Sequence, residues 1–375
     1  MKRVGVITIL DEINYGNRLQ NLAMQALLSG LGWEPVTLRF CPEKRVPVKR
    51  RLAQVKLLRW VNSTCRAALG KDEHSETLKK RRKEAVLAFN RRYLSMTPHL
   101  IPACSASQKP FGDCRWFVAG SDQIWNPYFI GDIIPEPHLA YLRFAPAEKR
   151  IAIAPSFGVA QLPPERAETI AHYLKQFHFL SVREEDGRAL IQRLTGLDCP
   201  VFPDPTLLVE PEFWAELTEQ EPPVASRKYV LAYFLGQVSP RRRQIIRDYA
   251  RRAGLLVVWM NDLTVPQNYV WGPVRFLRAI RDCQVLFTDS FHGCVFSLVF
   301  QRQFFALSRE DDTADMSGRI ATLLSMAGLE ERAVAQGTEL PPPISDEAFD
   351  RVHARLARRR AEVLSLLKDV LEGQT

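Results

Sequence analysis

The sequence lacks the cysteine patterns of a disulfide-stabilised or zinc-binding protein. Its seven cysteines are scattered over 375 residues, and no two of them form a CxxC pair. An odd number of dispersed cysteines argues against a disulfide framework, and the missing pair argues against a zinc site. We therefore expect reduced cysteines, a cytoplasmic location, and neither a metal nor another cofactor.

Long apolar runs and glycine-rich nucleotide motifs are also missing. No apolar stretch reaches the ~18 residues that span a bilayer. The apolar run from Met1 to Leu10 ends at Asp11 and Glu12 before an h-region could form, so we expect no signal peptide. The chain contains no GxGxxG or Walker sequence, and so it gives no direct indication of a nucleotide ligand.

Positive charge is concentrated in one segment. The chain has a net charge of +9, yet residues 39–92 alone contain 17 Lys or Arg against 5 Asp or Glu. Within it, residues 50–61 place apolar side chains on one side of a predicted helix and basic ones elsewhere. This pattern is compatible with peripheral contact of 39–92 with an anionic membrane at its inner face. A solvated basic face is the commoner outcome and is the favoured interpretation.

The order of predicted elements indicates an α/β fold with two Rossmann-like, doubly wound parallel-sheet domains facing a cleft. Apolar runs predict strands at 4–9, 34–40, 116–119, 151–154 and 179–182, then at 229–235, 255–260 and 285–288. Helical patterns between them imply parallel sheets covered by helices. We predict an N-terminal domain over 1–203 with a basic helical insertion at 41–99. A C-terminal domain over 204–375 ends in a long amphipathic helix at 346–371.

Ligands of such sheets bind beyond the carboxyl ends of the strands, so the residues after each strand are the candidates. The first group, Asn14, Tyr15, Gly16 and Asn17, forms a turn before a helix whose free N–H groups suit an anion. A simple connecting turn explains it equally well. The second group follows the strand at 116–119, where Ser121 and Asp122 can reach sugar hydroxyls.

Trp125, in the same loop, could offer its ring face to a sugar. A turn rich in Asp and Asn around a buried tryptophan is the alternative.

The strongest signal is the turn at 289–293, between a strand and an apolar helix. His292 at such a position can donate to a phosphate or carboxylate, or move a proton near neutral pH. Ser290 can cap the helix, and Gly293 would let a ligand approach closely. The alternative is that Ser290 is only a cap and that His292 only satisfies a nearby backbone group.

Two arginines complete the candidates. Arg183 ends the predicted strand at 179–182, and its guanidinium could bind a carboxylate or phosphate through two hydrogen bonds. An ion pair with the following Glu184 or Glu185 is the commoner outcome. Arg319 is a weaker candidate of the same type.

Together these segments resemble the polysaccharide pyruvyl transferase family. The resemblance covers roughly residues 1–330 and consists of six short segments in the same order as in the family. They are NYGNRLQN at 14–21, VAGSDQIWN at 118–126, SFG at 156–158, SVRE at 181–184, DPT at 204–206 and TDSFHG at 288–293.

The resemblance implies a GT-B-like pair of domains, phosphoenolpyruvate as donor, and a saccharide with two nearby hydroxyls as acceptor. It implies a cyclic pyruvate ketal and phosphate as products. We assign catalytic roles to three residues: His292 contacts the phosphate or supplies a proton, Arg183 clamps the carboxylate, and Asp122 orients or deprotonates an acceptor hydroxyl. The remaining candidates are assigned to the donor (Ser290, Gly293, Arg319) or to the acceptor (Asn14, Tyr15, Gly16, Asn17, Ser121, Trp125).

Two other functions remain open. A GT-B glycosyltransferase would use a nucleotide-sugar whose diphosphate lies in the C-terminal domain. A non-catalytic protein would use the basic segment on nucleic acid or membrane. That segment lacks the interleaved aromatic residues expected for stacking on single strands, so we expect no nucleic-acid partner.

Overall fold

The computed structural model describes residues 2–41, 71–98, 101–102, 111, 113–129, 137–310, 317–335 and 338–373. The segment at 50–61, for which membrane contact is one interpretation, lies outside the described residues. Within the described part of the chain, no helix has the length and apolar character needed to cross a bilayer.

The strands and helices alternate along most of the chain. The strands are β1 (Arg3–Ile7), β2 (Glu34–Thr37), β3 (Phe40–Cys41), β4 (Ile101–Pro102), β5 (Cys114–Ala119), β6 (Arg150–Ala152), β7 (Tyr229–Tyr233), β8 (Leu256–Met260), β9 (Val285–Thr288), β10 (Gln303–Leu307) and β11 (Ala333–Val334). The helices of the first half are α1 (Tyr15–Gly30), α2 (Lys71–Tyr93), α3 (Pro137–Ala140), α4 (Pro164–Leu174), α5 (Glu185–Thr195), α6 (Pro205–Leu208) and α7 (Pro211–Glu219). Those of the second half are α8 (Pro240–Arg252), α9 (Pro266–Tyr269), α10 (Pro273–Asp282), α11 (Phe291–Val299), α12 (Ser317–Ala327) and α13 (Asp346–Glu372), with 3₁₀ turns at Ala147–Lys149 and Glu330–Arg332.

Two parallel sheets form the framework, which confirms the predicted fold class. The N-terminal sheet has the order β2-β1-β5-β6, and the C-terminal sheet has the order β11-β10-β9-β7-β8. Every strand pair is parallel. Apolar clusters cover both faces of each sheet, so central strands such as β7 and β9 are buried along their whole length. All carboxyl ends of a sheet therefore lie along one edge.

The strand predicted at 179–182 is not a regular strand. Single bridges join Phe179 to Ile151 and Val182 to Val201. Ser181 explains the interruption, because its hydroxyl donates to the carbonyl of Ala152 at 2.7 Å and accepts from the N–H of Ala154 at 3.0 Å. Main-chain bonds still join Ala152 to Phe179 and Ser181, but the hydroxyl of Ser181 takes the next N–H, that of Ala154.

Helices α1 and α13 are shared between the two sheets. Tyr15 and Leu19 of α1 pack in the core of the C-terminal sheet, while the later residues Met24 and Leu28 pack against the N-terminal sheet. Helix α13, which agrees with the helix predicted at 346–371, likewise contacts the C-terminal core first and the N-terminal core in its second half. The domain boundary near residue 203 stays a prediction.

The described part of the basic insertion is the helix α2, and it is anchored in the fold. Arg82 is 3% exposed, and its guanidinium carbon lies 4.2 Å from the ring centroid of Tyr15 and 5.1 Å from that of Tyr269. Its Nε donates to the carbonyl of Ile13 at 2.9 Å. Phe89 packs in the core of the C-terminal sheet. The helix therefore lies across the loop that leads into α1.

Candidate active site

Five helices begin around one cluster of polar side chains. Gly16 and Asn17 lie in the first turn of α1, Glu184 caps α5, Asp204 caps α6, and His292 and Arg319 lie in the first turns of α11 and α12. Helix N-termini carry unpaired N–H groups and positive potential, so their convergence favours an anion. Parallel strands produce this arrangement because each helix starts where the preceding strand ends.

A buried chain of ion pairs crosses the cluster. Arg183, 3% exposed, donates from Nη1 to Oδ2 of Asp204 at 2.5 Å and from Nη2 to Oδ1 of Asp122 at 3.4 Å. Asp204 also accepts from the hydroxyl of Ser121 at 3.1 Å and from the backbone N–H of Thr206 at 3.0 Å. The ion pair that the sequence leads us to expect for Arg183 with Glu184 is long, at 4.0 Å. Both terminal nitrogens of Arg183 are thus occupied by aspartates.

His292 enters this cluster from the C-terminal sheet. Its Nε2 lies 3.7 Å from Oδ2 of Asp204, and within the described part of the chain this buried nitrogen has no hydrogen-bond partner. The imidazole packs directly on the start of α1, since a Cβ added at Gly16 would lie 2.1 Å from its Nδ1. Only glycine at position 16 permits this approach. His292 is therefore held at the junction of both sheets.

Arg319 lies on the other side of Asp122. Its Nη1 is 3.9 Å from Oδ1 of Asp122, and the amide oxygen of Gln123, once the amide is turned toward it, accepts from Nη1 at 2.8 Å and Nη2 at 2.7 Å. The guanidinium carbons of Arg183 and Arg319 lie 4.5 Å and 5.9 Å from the ring centroid of Phe291. The aromatic face thus attracts both cations into one place.

The charged groups of the cluster shift one another's pKa values. Burial by itself would raise the pKa values of Asp122 and Asp204, but Arg183 and His292 outweigh it and hold both below their ordinary range. Burial, with the neighbouring Arg183, lowers the pKa of Arg319 to about 10. Burial raises the pKa of Glu184. Two ionised aspartates and the arginines that hold them are therefore the resting state at neutral pH.

The structure brings together the first two predicted groups, the turn at 14–17 and the loop that follows the strand at 116–119. Asn17 donates from Nδ2 to Oδ2 of Asp122 at 3.1 Å. Asp122 has a left-handed backbone with φ of 64°, which turns its side chain into the cluster while its carbonyl accepts from the N–H groups of Ile124 and Ser156. Such a backbone is uncommon for a residue other than glycine and is concentrated at functional sites.

Two predicted acceptor residues belong to the cores instead. Trp125 is fully buried, stacks on Tyr141 at 5.5 Å between ring centroids and donates to the carbonyl of Ala140 at 3.0 Å. Tyr15 is also fully buried and stacks on Phe276 at 5.3 Å. The expectation that Trp125 offers its ring to a sugar is wrong, because both of its faces are covered by protein.

Three predicted residues have local structural contacts. Asn14 caps α1 by accepting from the N–H of Asn17, and Ser290 caps α11 by accepting from the N–H of Gly293 at 3.3 Å. At Gly293 the position of a Cβ is filled by protein, because a Cβ there would lie 2.8 Å from Oγ1 of Thr288. The small size of Gly293 lets α11 pack on the end of β9.

Sequence reasoning missed Asp204, the carboxylate that joins Arg183 to His292. It lies in the segment DPT at 204–206, one of the six that resemble the family, but the sequence pattern assigns it no role in the site. An aspartate followed by proline at the first position of a helix is, however, an N-cap signal, and that signal could have placed Asp204 at the cleft. Within the described residues, no group of three or more His, Cys, Asp or Glu side chains is arranged to hold a metal ion.

The sequence comparison decides the family. The family model for polysaccharide pyruvyl transferase matches residues 14–311, well over half of the chain. This chain belongs to the polysaccharide pyruvyl transferase family. The matched range contains Asp122, Arg183, Asp204 and His292, whereas Arg319 lies beyond it.

Other comparisons add little to the family assignment. No curated protein matches this chain. Among solved structures, it is similar to the crystal structure of Medicago truncatula UGT71G1 complexed with UDP-glucose, with 10% sequence identity and a TM-score of 0.34. The match covers 96% of this chain and 93% of that one. A TM-score this low supports no inference about the ligand or the activity of this family member.

Proposed function

We propose that this pyruvyl transferase moves the pyruvyl group of phosphoenolpyruvate to two hydroxyls of one saccharide, in a polysaccharide or its lipid-linked precursor. The products are a cyclic pyruvate ketal and inorganic phosphate. Family membership supports the transfer of a pyruvyl group. The observation that carries the choice of an anionic donor is the buried His292–Arg319 pair at the convergent starts of α11 and α12.

The donor binds against the C-terminal side of the cluster. His292 Nε2 is buried and makes no hydrogen bond within the described part of the chain, so it can donate to a phosphate oxygen without first breaking a contact. Arg319 presents a planar guanidinium that suits the donor carboxylate. Arg183 already donates to two aspartates, so its contribution is to fix Asp122 and Asp204 rather than to clamp the donor by itself.

The reaction needs two proton transfers and one leaving group. The methylene carbon of phosphoenolpyruvate takes a proton and becomes the methyl group, and the first hydroxyl oxygen bonds to C2 as it loses its own proton. The second hydroxyl then bonds to C2, the C–O bond to phosphate breaks, and the departing phosphate takes the second hydroxyl proton. No oxidant or reductant is required.

His292 and Asp122 divide the proton transfers between them. His292 supplies the proton to the methylene carbon or to the leaving phosphate, a role suited to an imidazole near neutral pH. Asp122 stays ionised because Arg183, His292 and Arg319 outweigh its burial and keep its pKa low. It therefore accepts a hydrogen bond from the first acceptor hydroxyl, orients that hydroxyl toward C2, and takes its proton as the bond to C2 forms.

The test is incubation with phosphoenolpyruvate and a panel of saccharides, with phosphate release measured alongside mass spectrometry of the saccharide. We expect phosphate and a ketal adduct in equal amounts, and loss of both in His292→Ala. Calorimetry with UDP is the counter-measurement. Binding of UDP without binding of phosphoenolpyruvate would overturn the proposal in favour of a glycosyltransferase.

A further inference from the structure

A large cavity lies beside the ion-pair cluster, on the N-terminal side. Its volume is about 1150 Å³, somewhat more than the roughly 300–1,000 Å³ typical of small-molecule pockets. Its floor is the carboxyl edge of the N-terminal sheet, with Ile7, Leu38 and Phe40, and one wall is helix α2. Phosphoenolpyruvate alone would leave most of this space empty.

One face of α2 is turned into the cavity. Its lining positions 76, 79, 80, 83, 87, 90 and 91 recur at helical spacing, while Leu78, Arg82, Val86 and Phe89 on the other side are buried. The cavity face includes Lys79, Lys80, Lys83 and Arg91. The basic side of this helix therefore borders a half-open cavity as well as solvent.

Basic residues outnumber acidic ones in this lining. Six lysines and arginines stand against Asp11, Glu12 and Glu76 among the described lining residues. Two of these acids are neutralised locally, since Glu76 pairs with Lys79 at 2.7 Å and Glu12 pairs with Lys83. The lining residues Arg39, Lys80 and Arg91 form no ion pair with a carboxylate among the residues that the structure describes. The cavity thus keeps a surplus of positive charge.

A short hydrogen-bonded path joins the cavity to the reacting groups. Arg18 lines the cavity and donates to Oδ1 of Asn17, and Asn17 donates to Asp122 at 3.1 Å. Arg18 is 1% exposed, and its Nε has no hydrogen-bond partner within the described residues. Thr8, also in the lining, donates to the carbonyl of Ser121 at 3.3 Å. The wall of the cavity is therefore connected to Asp122 through Arg18 and Asn17, while Asp122 itself is not among the lining residues.

We propose that this cavity holds the acceptor, and that the acceptor saccharide is itself an anion whose phosphate or carboxylate group binds the basic wall of α2. The name acceptor rests on the proposed function, whereas the charge preference rests on the cavity alone. Apolar floor residues pack against sugar C–H faces, and the surplus cations of the wall bind the oxyanion. The basic character of residues 71–92 then serves substrate recognition.

The experiment measures binding of three size-matched probes by calorimetry at low and high salt: maltotriose, maltotriose 1-phosphate and trigalacturonic acid. We expect the two anionic probes to bind roughly tenfold or more tightly than maltotriose, with a preference that weakens as salt screens the wall. The phosphate and carboxylate probes separate the two sources of charge. Lys80→Glu/Arg91→Glu should weaken the anionic probes by roughly tenfold.

The matched control is Arg247→Glu/Arg252→Glu on α8, which changes the net charge by the same amount at exposed positions of the other sheet. We expect this control to bind the probes like the unaltered protein. Equal binding of neutral and anionic probes, equal weakening in both double variants, or no binding of either anionic probe would overturn the proposal. Phosphate release from phosphoenolpyruvate is measured separately. Charge-selective binding of the probes without phosphate release would contradict the proposed function and leave the charge preference of the cavity supported.

Discussion

The two sheet edges that meet at the site share one backbone design and differ in how their side chains are paired. At the N-terminal edge, Asp122 and Arg183 sit in a closed network that also includes Asn17. At the C-terminal edge, His292 Nε2 has only Asp204 nearby, at 3.7 Å, and no hydrogen bond within the described residues. Groups that already hold one another give a rigid framework, whereas a buried donor without a partner has its best partner in a ligand.

This difference separates the reacting groups from the groups that position them. Arg183 and Asp204 are almost inaccessible and hydrogen-bond to each other, so we expect their loss to lower the stability of the fold first. We expect the loss of His292 to lower the rate of pyruvyl transfer more than it lowers stability. Five substitutions test this division, and they are ordered from the largest expected effect to the smallest.

His292→Ala should reduce phosphate release from phosphoenolpyruvate by about 10²–10⁴-fold, because it removes the proposed proton donor. The thermal midpoint should fall by less than in Asp204→Asn, since the imidazole packs on α1 and helps to lower the pKa of Asp204 but its Nε2 makes no hydrogen bond within the described residues. His172→Ala is the control, at an exposed position on α4. An unchanged rate in His292→Ala would show that the C-terminal edge does not carry the chemistry.

Asp204→Asn should lower the free energy of unfolding by about 3–5 kcal/mol at neutral pH, because it leaves the buried Arg183 with one carboxylate fewer. Asp198→Asn is the control, since it disturbs an exposed pair with Arg188 of 2.7 Å and should change stability little.

The effect of Asp204→Asn should depend on pH in one direction. Burial would raise the pKa of Asp204, but His292 and Arg183 hold it below its ordinary value. The stabilisation is therefore fully present above the unfolded-state pKa of roughly 3.9 and is lost as the pH falls below it. Urea denaturation at several pH values should show the difference between the two proteins shrinking only in acid. A difference that shrinks toward alkaline pH would contradict the assignment.

Gly16→Ala tests the close contact between the start of α1 and His292. The added Cβ would lie 2.1 Å from Nδ1 of His292, so either the imidazole or the start of α1 must move. We expect a loss of about 1–3 kcal/mol in stability together with a fall in kcat. Gly30→Ala in the same helix meets nothing within 4 Å and should be neutral or slightly stabilising. Equal behaviour of the two variants would rule out the close packing of His292 on α1.

Arg319→Lys and Arg183→Lys sharpen the comparison between the two arginines. Lysine keeps the charge but loses the planar fork. Arg319→Lys should raise KM for phosphoenolpyruvate by roughly tenfold with little change in stability, because Arg319 is proposed to hold the donor carboxylate. Arg183→Lys should mainly lower the thermal midpoint, since it breaks the bonds to Asp204 and Asp122. A raised KM in Arg183→Lys and a lowered thermal midpoint in Arg319→Lys would indicate that Arg183 binds the donor.

Much of the framework could be predicted from the sequence, because burial on both faces leaves continuous apolar runs. The strands β7 and β9 and the helix α13 lie close to their predicted ranges. The irregular edge at 179–182 could not be predicted, since the side chain of Ser181 bonds to Ala152 and Ala154 only once the fold makes them neighbours. Periodicity carries no information about such a contact.

For the site, the sequence by itself determined which polar residues follow which strands, and so it identified His292, Asp122 and Arg183 as candidates. Tertiary structure decided which of those side chains are buried and which are paired. It placed Trp125 in a core, paired Arg183 with aspartates, and brought Asp204 between the two sheets. The physical reason is that the position in the sequence fixes which strand end a residue follows, whereas its burial and pairing depend on side chains from other segments of the chain.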